Sequence, residues 1–255
     1  MQLSNNTVLI TGGSGGIGFA FAERFLRAGS DVLICARREE KLREAKEKLA
    51  RISDRNVATR VCDVGDETER VALFEWATRE FPQVNVLVNN AGIQRRIDVK
   101  EAEPWTQTRQ EIAINLEAPV HLARLFIAHF LQVESASQPA IINVTSGLAF
   151  APLANVPVYC ATKAALRSFT LSLRHQLAGS RIKVIEIIPP AVDTDLQAAG
   201  LHTFGAPVDD FADSVFAQLG SADDEEIAYG FAQNASRASR EELEQIFQRL
   251  NTQTH

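Results

Sequence analysis

The stretch TVLITGGSGGIG, from Thr7 to Gly18, decides the fold of this chain of 255 residues. Thr7–Thr11 is apolar and β-branched, as a buried strand is, and the amphipathic pattern of a helix begins at Gly16. Glycines let the main chain approach a phosphate closely, and a helix N-terminus presents free N–H groups to an anion. Because these glycines lie between a first strand and a helix, they predict a dinucleotide-binding loop rather than a bare turn.

Apolar, strand-length segments alternate with helical patterns along the rest of the chain. Several strands show little polar alternation, which is typical of parallel strands covered on both faces. This order predicts a single-domain, doubly wound Rossmann α/β fold, with a mostly parallel sheet of about seven strands and helices on both faces. The predicted strands are Thr7–Thr11, Asp31–Ala36, Asn56–Val61, Val84–Asn89, Ala140–Val144, Lys183–Ile188 and Glu226–Tyr229. The predicted helices are Gly16–Ala28, Glu39–Ala50, Glu67–Glu80, Glu103–Leu131, Val158–Ala178, Asp209–Leu219 and Arg240–Leu250.

The composition is that of an ordinary globular protein. A net charge of −6 argues against general binding of nucleic acid, and no apolar stretch approaches the roughly 20 residues of a membrane span. The polar start of the chain predicts no signal peptide. The three cysteines lack metal-type spacing, so we expect buried free thiols, no metal site and a cytoplasmic location.

The end of the second predicted strand indicates which dinucleotide the loop binds. An NAD site usually offers a carboxylate there for the ribose 2′-hydroxyl, whereas an arginine suits the 2′-phosphate of NADP. The strand is followed by Arg37 and Arg38, and Glu39 and Glu40 come only as first-turn helix residues. NADP(H) is therefore favoured over NAD(H), although two solvated arginines at a helix start would give the same sequence.

Tyr159 and Lys163 lie four residues apart in a predicted helix, so both side chains leave the same face. A free phenol, with a pKa of about 10, is a poor acid–base catalyst near neutrality. A neighbouring ammonium favours the phenolate, so the pair indicates an activated tyrosine. Taken alone, a half-buried tyrosine beside a solvated lysine is the commoner explanation of this spacing.

Several further motifs, in the same order and register, make the chain resemble the short-chain dehydrogenase/reductase family in its compact form. They are a T-G-x-x-x-G-x-G loop, N-N-A-G after the fourth strand, a helical asparagine, a serine after the fifth strand and Y-x-x-x-K. The residues that match are Thr11, Gly12, Gly16, Gly18, Asn89, Asn90, Ala91, Gly92, Asn115, Ser146, Tyr159 and Lys163. Within the family, residues 146–177 and the opening of the chain are most similar to the DltE-like oxidoreductases.

The resemblance implies an enzyme that transfers hydride between a nicotinamide and a carbonyl or secondary alcohol. Tyr159 would be the general acid in reduction and the general base in oxidation. Lys163 would lower the pKa of Tyr159 and bind the nicotinamide ribose. Ser146 would donate a hydrogen bond to the substrate oxygen, and Asn115 would hold a water that links Lys163 to solvent. The implied catalytic residues are thus Asn115, Ser146, Tyr159 and Lys163.

The resemblance also implies the cofactor contacts. Asp63 would contact the adenine and Val64 would bind through its backbone, while Val192 and Thr194 would contact the nicotinamide amide and a nearby phosphate. Where the family has glycine, this chain has Pro190, which would stiffen the segment that holds the nicotinamide. The expected cofactor-binding residues are Gly12, Ser14, Gly16, Ile17, Gly18, Arg37, Arg38, Asp63, Val64, Asn90, Ala91, Gly92, Tyr159, Lys163, Pro189, Val192 and Thr194.

The segments that follow these motifs predict an apolar substrate pocket and a lid. The pocket would use residues 94–97, 148–152 and 196–204, with apolar contacts from Leu148, Phe150, Leu196 and Phe204. Arg95 and Arg96 would suit an anion, although a solvated loop edge is the favoured explanation. Glycines at 200 and 205 predict a lid around residues 193–207 that closes over the substrate.

The resemblance further implies a homodimer or homotetramer formed through the two long helices. The apolar stripe of Phe169, Leu173 and Leu177 would face the partner or the core, or be divided between the two. Two other functions fit a Rossmann fold. A nucleotide sensor without turnover would usually lack the Tyr–Lys pair that this chain has. An epimerase or dehydratase for nucleotide sugars would need a substantial C-terminal substrate domain, and too few residues follow Thr194.

Overall fold

A computed structural model describes residues 1–102, 104–135, 137–194, 196, 205–221 and 225–252. The strands are β1 (Thr7–Thr11), β2 (Asp31–Ala36), β3 (Val57–Val61), β4 (Val86–Asn89), β5 (Ala140–Val144), β6 (Lys183–Ile188) and β7 (Glu226–Ala228). They form one sheet in the order β3-β2-β1-β4-β5-β6-β7, and every neighbouring pair is parallel. The predicted doubly wound α/β fold is confirmed.

Helices cover both faces of this sheet. Alternate strand residues point to opposite faces, and both faces are apolar, so each face needs a layer of helices. On one face Ile10 belongs to a core with Phe21 and Phe211, and on the other Leu9 belongs to a core with Leu73. The first layer contains α1 (Gly16–Arg27), α2 (Glu39–Leu49) and α7 (Val208–Ser221), and the second contains α3 (Glu67–Glu80), α5 (Ala118–Phe130) and α6 (Pro157–Leu177).

The strand order reverses at β1, which lies between β2 and β4 in the sheet. In doubly wound sheets the crevice outside the carboxyl ends of the strands at such a switch point is the usual ligand site. The glycine loop follows β1, and the loops after β4, β5 and β6 leave the sheet at the same edge. The topology therefore brings the motifs together although they are far apart in sequence.

The predicted helix from Glu103 to Leu131 is not a continuous α-helix. Residue 103 lies outside the described residues, α4 spans Trp105–Ile112, and Ala113–Glu117 adopts π-helical geometry before α5 begins. Pro119 has no N–H to donate to the carbonyl of Asn115 four residues earlier, so regular α-helical bonding cannot continue through this turn. Such π-bulges often occur at functional sites, and Asn115 lies inside this one.

The remaining differences from the predicted elements are small. Strands β3 and β4 begin one and two residues later than predicted, and most helix ends shift by one or two residues. The chain ends in two short helices, α8 (Phe231–Arg237) and α9 (Arg240–Thr252), of which α8 has no predicted counterpart. The sequence FAQNASR is too short and too polar to show a helical period. No helix of the described chain is long and apolar enough to span a membrane.

The apolar stripe on α6 contributes to the core. Leu173 is buried in the second core, and Phe169 and Leu177 pack against it half-buried. Leu173 therefore belongs to the core, whereas Phe169 and Leu177 each keep part of their surface outside it. The cysteines are also accounted for, because Cys35, Cys62 and Cys160 are all free and buried, as expected.

Candidate active site

The glycine loop packs tightly against the loop that follows β4. Gly12 has a φ of 68°, in the region that favours glycine, and a Cβ atom on Gly18 would lie 2.4 Å from the Gly12 carbonyl oxygen. The side-chain amide of Asn90 donates to the Thr11 carbonyl at 2.9 Å. The Thr11 hydroxyl accepts hydrogen bonds from the backbone N–H groups of Asn90 and Ala91, each at 3.0 Å. These contacts hold the two loops in a single rigid unit.

The start of α1 is open to a ligand. Gly15 precedes the helix without a side-chain cap, so no side chain satisfies the first N–H groups. Gly16, with a φ of 51°, lies against Thr194, whose methyl carbon would be 3.2 Å from a Cβ at position 16. A cavity of about 860 Å³ begins here, and its wall includes Gly12, Ser14, Gly16 and Ile17. Gly18 does not line the cavity. It instead allows α1 to pack closely against the glycine loop.

A second cavity of about 180 Å³ lies at the ends of β2 and β3. Its wall contains Gly12, Ser14, Arg37, Arg38, Asp63 and Val64. Arg37 and Arg38 are exposed, and neither makes an ion pair within the part of the chain that the structure describes. The Asp63 carboxylate accepts a hydrogen bond from the Gly65 N–H at 2.9 Å, which fixes the turn after β3. The expected adenosine contacts thus surround one cavity that carries two free guanidinium groups.

Ser146, Tyr159 and Lys163 meet at the wall of the larger cavity. Ser146 lies two residues after the end of β5 and caps the short helix Gly147–Ala149, its hydroxyl accepting from the Leu148 N–H at 3.1 Å. Tyr159 and Lys163 leave α6 one turn apart and line the same cavity as Ser146. The Lys163 ammonium donates to the Val144 carbonyl at 2.8 Å and lies 5.7 Å from the centre of the Tyr159 ring.

Burial governs the ionisation of this pair. Desolvation raises the pKa of Tyr159 to about 12, although the Ser146 hydroxyl acts to lower it. Desolvation likewise lowers the pKa of Lys163 to about 8. The four-residue spacing indicates only the effect of the ammonium, which would shift the pKa of the phenol in the other direction. With these values Tyr159 is protonated near neutral pH and can donate a proton.

Asn115 is buried and does not reach the cavity wall. Its amide donates to the Ile93 carbonyl at 2.8 Å and its oxygen accepts from the Ile93 N–H at 2.9 Å. The same amide donates to the Thr162 hydroxyl at 3.2 Å, and Thr162 donates in turn to the Tyr159 carbonyl. A Cβ on Gly92 would lie 3.5 Å from the Asn115 oxygen and 3.7 Å from the Lys163 ammonium. The Asn115 side chain therefore fastens the loop after β4 to α6.

The segment after β6 forms another side of the larger cavity. Pro189, Val192 and Thr194 all lie in its wall, as do Asn90, Ala91 and Gly92 from the loop after β4. Pro190 also lines the cavity, and its ring would lie 3.9 Å from a Cβ on Gly230, an ordinary van der Waals distance. Proline is thus accommodated where the family has glycine.

The expected substrate-pocket residues divide into two groups. Gln94, Leu148 and Leu196 line the cavity, whereas Phe150 does not, because its ring stacks 4.3 Å from the Arg167 guanidinium. Arg95 donates to Gln107 and Gln110 on α4, each at 2.7 Å, so it is neither a solvated edge nor in the cavity wall. Arg96 is exposed. Phe204 and most of the predicted lid lie outside the described residues.

Several side chains near the site are not anticipated by the sequence. Leu153, Tyr229, Phe231 and Leu250 line the cavity, and no local motif marks them. Glu111 on α4 is fully buried, although its surroundings in sequence are those of an exposed helix. Its Oε1 accepts from the Arg95 N–H at 3.3 Å, and its Oε2 has no hydrogen-bond partner among the described residues.

Burial raises the pKa of Glu111 to about 7, and the carboxylate charge in turn raises the pKa of Tyr159. Because the folded state holds this proton more tightly than the unfolded state, stability is lost as the pH rises from 4.5 through about 7. At about 1.4 kcal/mol per pKa unit, the loss is on the order of 3 kcal/mol. Glu111→Gln cannot ionise, so we expect its unfolding free energy relative to wild type to increase by that order between pH 5 and pH 8.

Urea denaturation at both pH values measures this difference. Glu117→Gln, which changes an exposed carboxylate of the same helical segment, is the matched control and should show no such pH dependence. A Glu111→Gln difference that stays constant between the two pH values would contradict the prediction.

Comparison with known proteins agrees with this geometry. The family model of the short chain dehydrogenases matches residues 6–203. The uncharacterized oxidoreductase DltE of Bacillus subtilis (strain 168) is 46% identical over 259 residues, which cover 99% of this chain and 99% of that protein.

Two solved structures are also similar to this chain. A short-chain dehydrogenase from Sphingobium yanoikuyae in complex with NADPH has a TM-score of 0.76 and 29% identity, covering 88% of this chain and 86% of that one. A bulky-bulky ketone specific alcohol dehydrogenase from Comamonas testosteroni has a TM-score of 0.78 and 26% identity, covering 98% and 95%. The chain belongs to the short-chain dehydrogenase family of oxidoreductases.

Proposed function

We propose that this protein is an NADP-dependent oxidoreductase that interconverts a carbonyl compound and a secondary alcohol. The observation that carries the proposal is the position of Tyr159. Its ring lies beside the Lys163 ammonium, and both residues line, together with Ser146, the same cavity that begins at the glycine loop. An acid–base group and a dinucleotide loop in one cavity are what hydride transfer to a carbonyl requires.

The residues present fit a dinucleotide. The uncapped start of α1 and the close approach at Gly12 suit a pyrophosphate, and the cavity beside Arg37 and Arg38 suits a phosphorylated ribose. Val192 and Thr194 would hold the nicotinamide, and Asp63 and Val64 would hold the adenine. When bound, the cofactor supplies or accepts the hydride.

The side chains around Tyr159 would divide the remaining work. Ser146 would donate a hydrogen bond to the substrate oxygen and thereby stabilise the charge that develops on it. Tyr159, protonated near neutral pH because of its raised pKa, would give its proton to that oxygen. Lys163, held by the Val144 carbonyl, would keep positive charge near the phenol as it ionises. Asn115 would maintain this geometry through its bonds to Ile93 and Thr162.

The cofactor preference is tested by Arg37→Ala. A hydrogen bond to a charged group contributes about 1.5–3 kcal/mol, so loss of the guanidinium should raise the Kd for NADPH roughly 10- to 100-fold. The Kd for NADH, which has no 2′-phosphate, should change less than about threefold. Fluorescence titration of the purified protein with both cofactors gives these values, and a carbonyl screen with the tighter binder then tests turnover.

Arg43→Ala is the matched control for that experiment. Arg43 is an exposed arginine of α2 that lies 4.0 Å from Glu40 and outside both cavities. The Arg43→Ala substitution removes the same charge as Arg37→Ala without touching the proposed phosphate site. It should leave the Kd values for NADPH and NADH within about threefold of wild type. Equal losses of NADPH and NADH affinity in Arg37→Ala, or loss in Arg43→Ala as large as in Arg37→Ala, would argue against the NADP assignment.

Turnover separates this proposal from the other candidate, a cofactor-binding sensor. NADPH binding without turnover of any carbonyl compound would favour the sensor. The Comamonas testosteroni enzyme supports a ketone or secondary alcohol as the substrate class. We further propose that the chain is a single dehydrogenase domain with a lid around residues 193–207, that it forms a homodimer or homotetramer and that it works in the cytoplasm.

A further inference from the structure

The two short C-terminal helices pack onto the loop that joins Ser146 to Tyr159. A Cβ on Gly147, the residue after Ser146, would lie 3.1 Å from the Ala232 side chain and 3.4 Å from the Phe231 ring. Helix α8 therefore closes directly over the start of this loop. Farther along the same loop, Leu148 and Leu153 pack against a small buried cluster that contains Tyr159.

Helix α9 is hydrogen-bonded to the middle of this loop through the Asn251 side chain. The Asn251 side-chain oxygen accepts from the Ala154 N–H at 2.6 Å, and its amide donates to the Pro152 carbonyl at 3.1 Å. The same amide donates to the Phe247 carbonyl of its own helix at 2.8 Å, which fixes its orientation. One side chain thus binds the backbone on both sides of Leu153. The neighbouring residue on α9, Leu250, lies in the wall of the cavity together with Leu153 and Phe231.

The charges of the cavity wall are confined to one end. Arg38, Lys41, Glu44 and Lys48 all belong to α2 or directly precede it, on the proposed cofactor side. Near Ser146 and Tyr159 the only charged side chain in the described wall is Lys163, whose ammonium bonds the Val144 carbonyl. The remaining described wall there carries uncharged polar groups, among them Gln94, Thr145 and Tyr229, and apolar side chains such as Leu148, Leu153, Phe231 and Leu250. Among the described residues, such a wall suits apolar groups and offers no partner for a second charge on the substrate.

We propose that α9 is part of the substrate site: Leu250 limits the size of an uncharged, apolar carbonyl substituent, and Asn251 positions the loop that carries Leu148 and Leu153. The inference rests on the proposed function and adds to it the substrate class and the element that sets its size. Asn251 is a positioning residue, because it acts on the substrate through the backbone around Leu153.

Ketone binding at equilibrium tests this inference without turnover. The protein is Tyr159→Phe saturated with NADPH, and the Kd of 2-butanone and of a series of alkyl phenyl ketones is measured by calorimetry. Leu250→Trp should raise the Kd of the alkyl phenyl ketones at least about tenfold and that of 2-butanone less than about threefold. Leu250→Ala should shift the tightest binding toward longer alkyl chains. If neither substitution changes the order of affinities, Leu250 is not a wall of the site.

A substitution at Asn251 tests its positioning role. Asn251→Ala should weaken alkyl phenyl ketones about five- to tenfold while the Kd for NADPH stays unchanged. Gln248→Ala is the control, because Gln248 is an exposed residue of α9 whose side chain bonds Glu244 of its own helix. Equal effects of these two variants would overturn the positioning role.

A charged ketone tests the proposed preference for an uncharged substrate. The anion 4-acetylbenzoate should bind at least about tenfold more weakly than acetophenone, and the reverse order would overturn the substrate class.

Two outcomes separate this inference from the proposed function. If NADPH binds but none of the neutral ketones does, the substrate class is wrong and the cofactor proposal stands. If NADPH does not bind, the proposed function fails, and ketone binding to the protein alone still tests Leu250 and Asn251.

Discussion

Tyr159→Phe is expected to lower the turnover of carbonyl compounds about 10²- to 10⁴-fold, the usual contribution of a positioned general acid. The phenol lines the cavity together with Ser146 and Lys163, and its pKa of about 12 keeps it protonated near neutrality. For the same reason, alcohol oxidation, which needs the phenolate, should accelerate as the pH rises toward 10. Steady-state rates in both directions, measured against pH with saturating cofactor, give these values.

Affinity for the cofactor distinguishes this loss from unfolding. Tyr159→Phe removes one oxygen, so the Kd for NADPH should change less than about threefold. Tyr229→Phe removes the other phenol of the chain, which also lies in the cavity wall but is not the tyrosine beside Lys163, and its turnover should fall far less. Retention of more than a tenth of wild-type turnover in Tyr159→Phe would exclude it as the general acid.

Gly18→Ala should destabilise the protein and weaken NADPH binding together. The added carbon would lie 2.4 Å from the Gly12 carbonyl oxygen and 2.5 Å from the Asn90 amide, so the glycine loop or α1 must move. Alanine favours a helix over glycine by up to about 1 kcal/mol, but an overpacked site costs about 1–3 kcal/mol. We therefore expect a net loss of unfolding free energy of roughly 1–2 kcal/mol. Displacement of the loop should also weaken NADPH binding roughly tenfold or more.

Gly15→Ala is the matched control for stability. Gly15 lies in the same loop with an extended backbone that any residue adopts, and a Cβ there would meet no atom within 4 Å. Its unfolding free energy, measured without cofactor, should remain within about 0.5 kcal/mol of wild type. If Gly18→Ala is as stable as Gly15→Ala, the close packing between α1 and the glycine loop does not constrain position 18.

The parts of the site that the sequence predicts are those encoded by local spacing. The glycine loop, the arginines after β2 and the Tyr159–Lys163 pair each depend on a few consecutive residues within one turn or one helical period. Strand and helix bounds likewise follow from local periodicity, apart from the π-helical turn. Even there, Pro119 marks the position at which regular bonding must stop.

The ionisation of the site could not be predicted in this way. The spacing of Tyr159 and Lys163 indicates which groups meet, but not how little water surrounds them. Burial raises the pKa of the phenol and lowers that of the ammonium, and burial is a property of the assembled layers. Glu111 illustrates the same limit, because a glutamate in a polar helix is normally exposed, and here it is fully buried.

By itself, the sequence determined the doubly wound α/β fold, the dinucleotide loop and the family, because each depends on short patterns repeated in a fixed order. Only the tertiary structure decided which side chains line the cavity. Phe150 turns away from the cavity to stack on Arg167, whereas Leu250, about a hundred residues from Leu153, joins it in the wall. Contacts between residues so distant in sequence are set by how the helices pack on the sheet, and no local pattern encodes that packing.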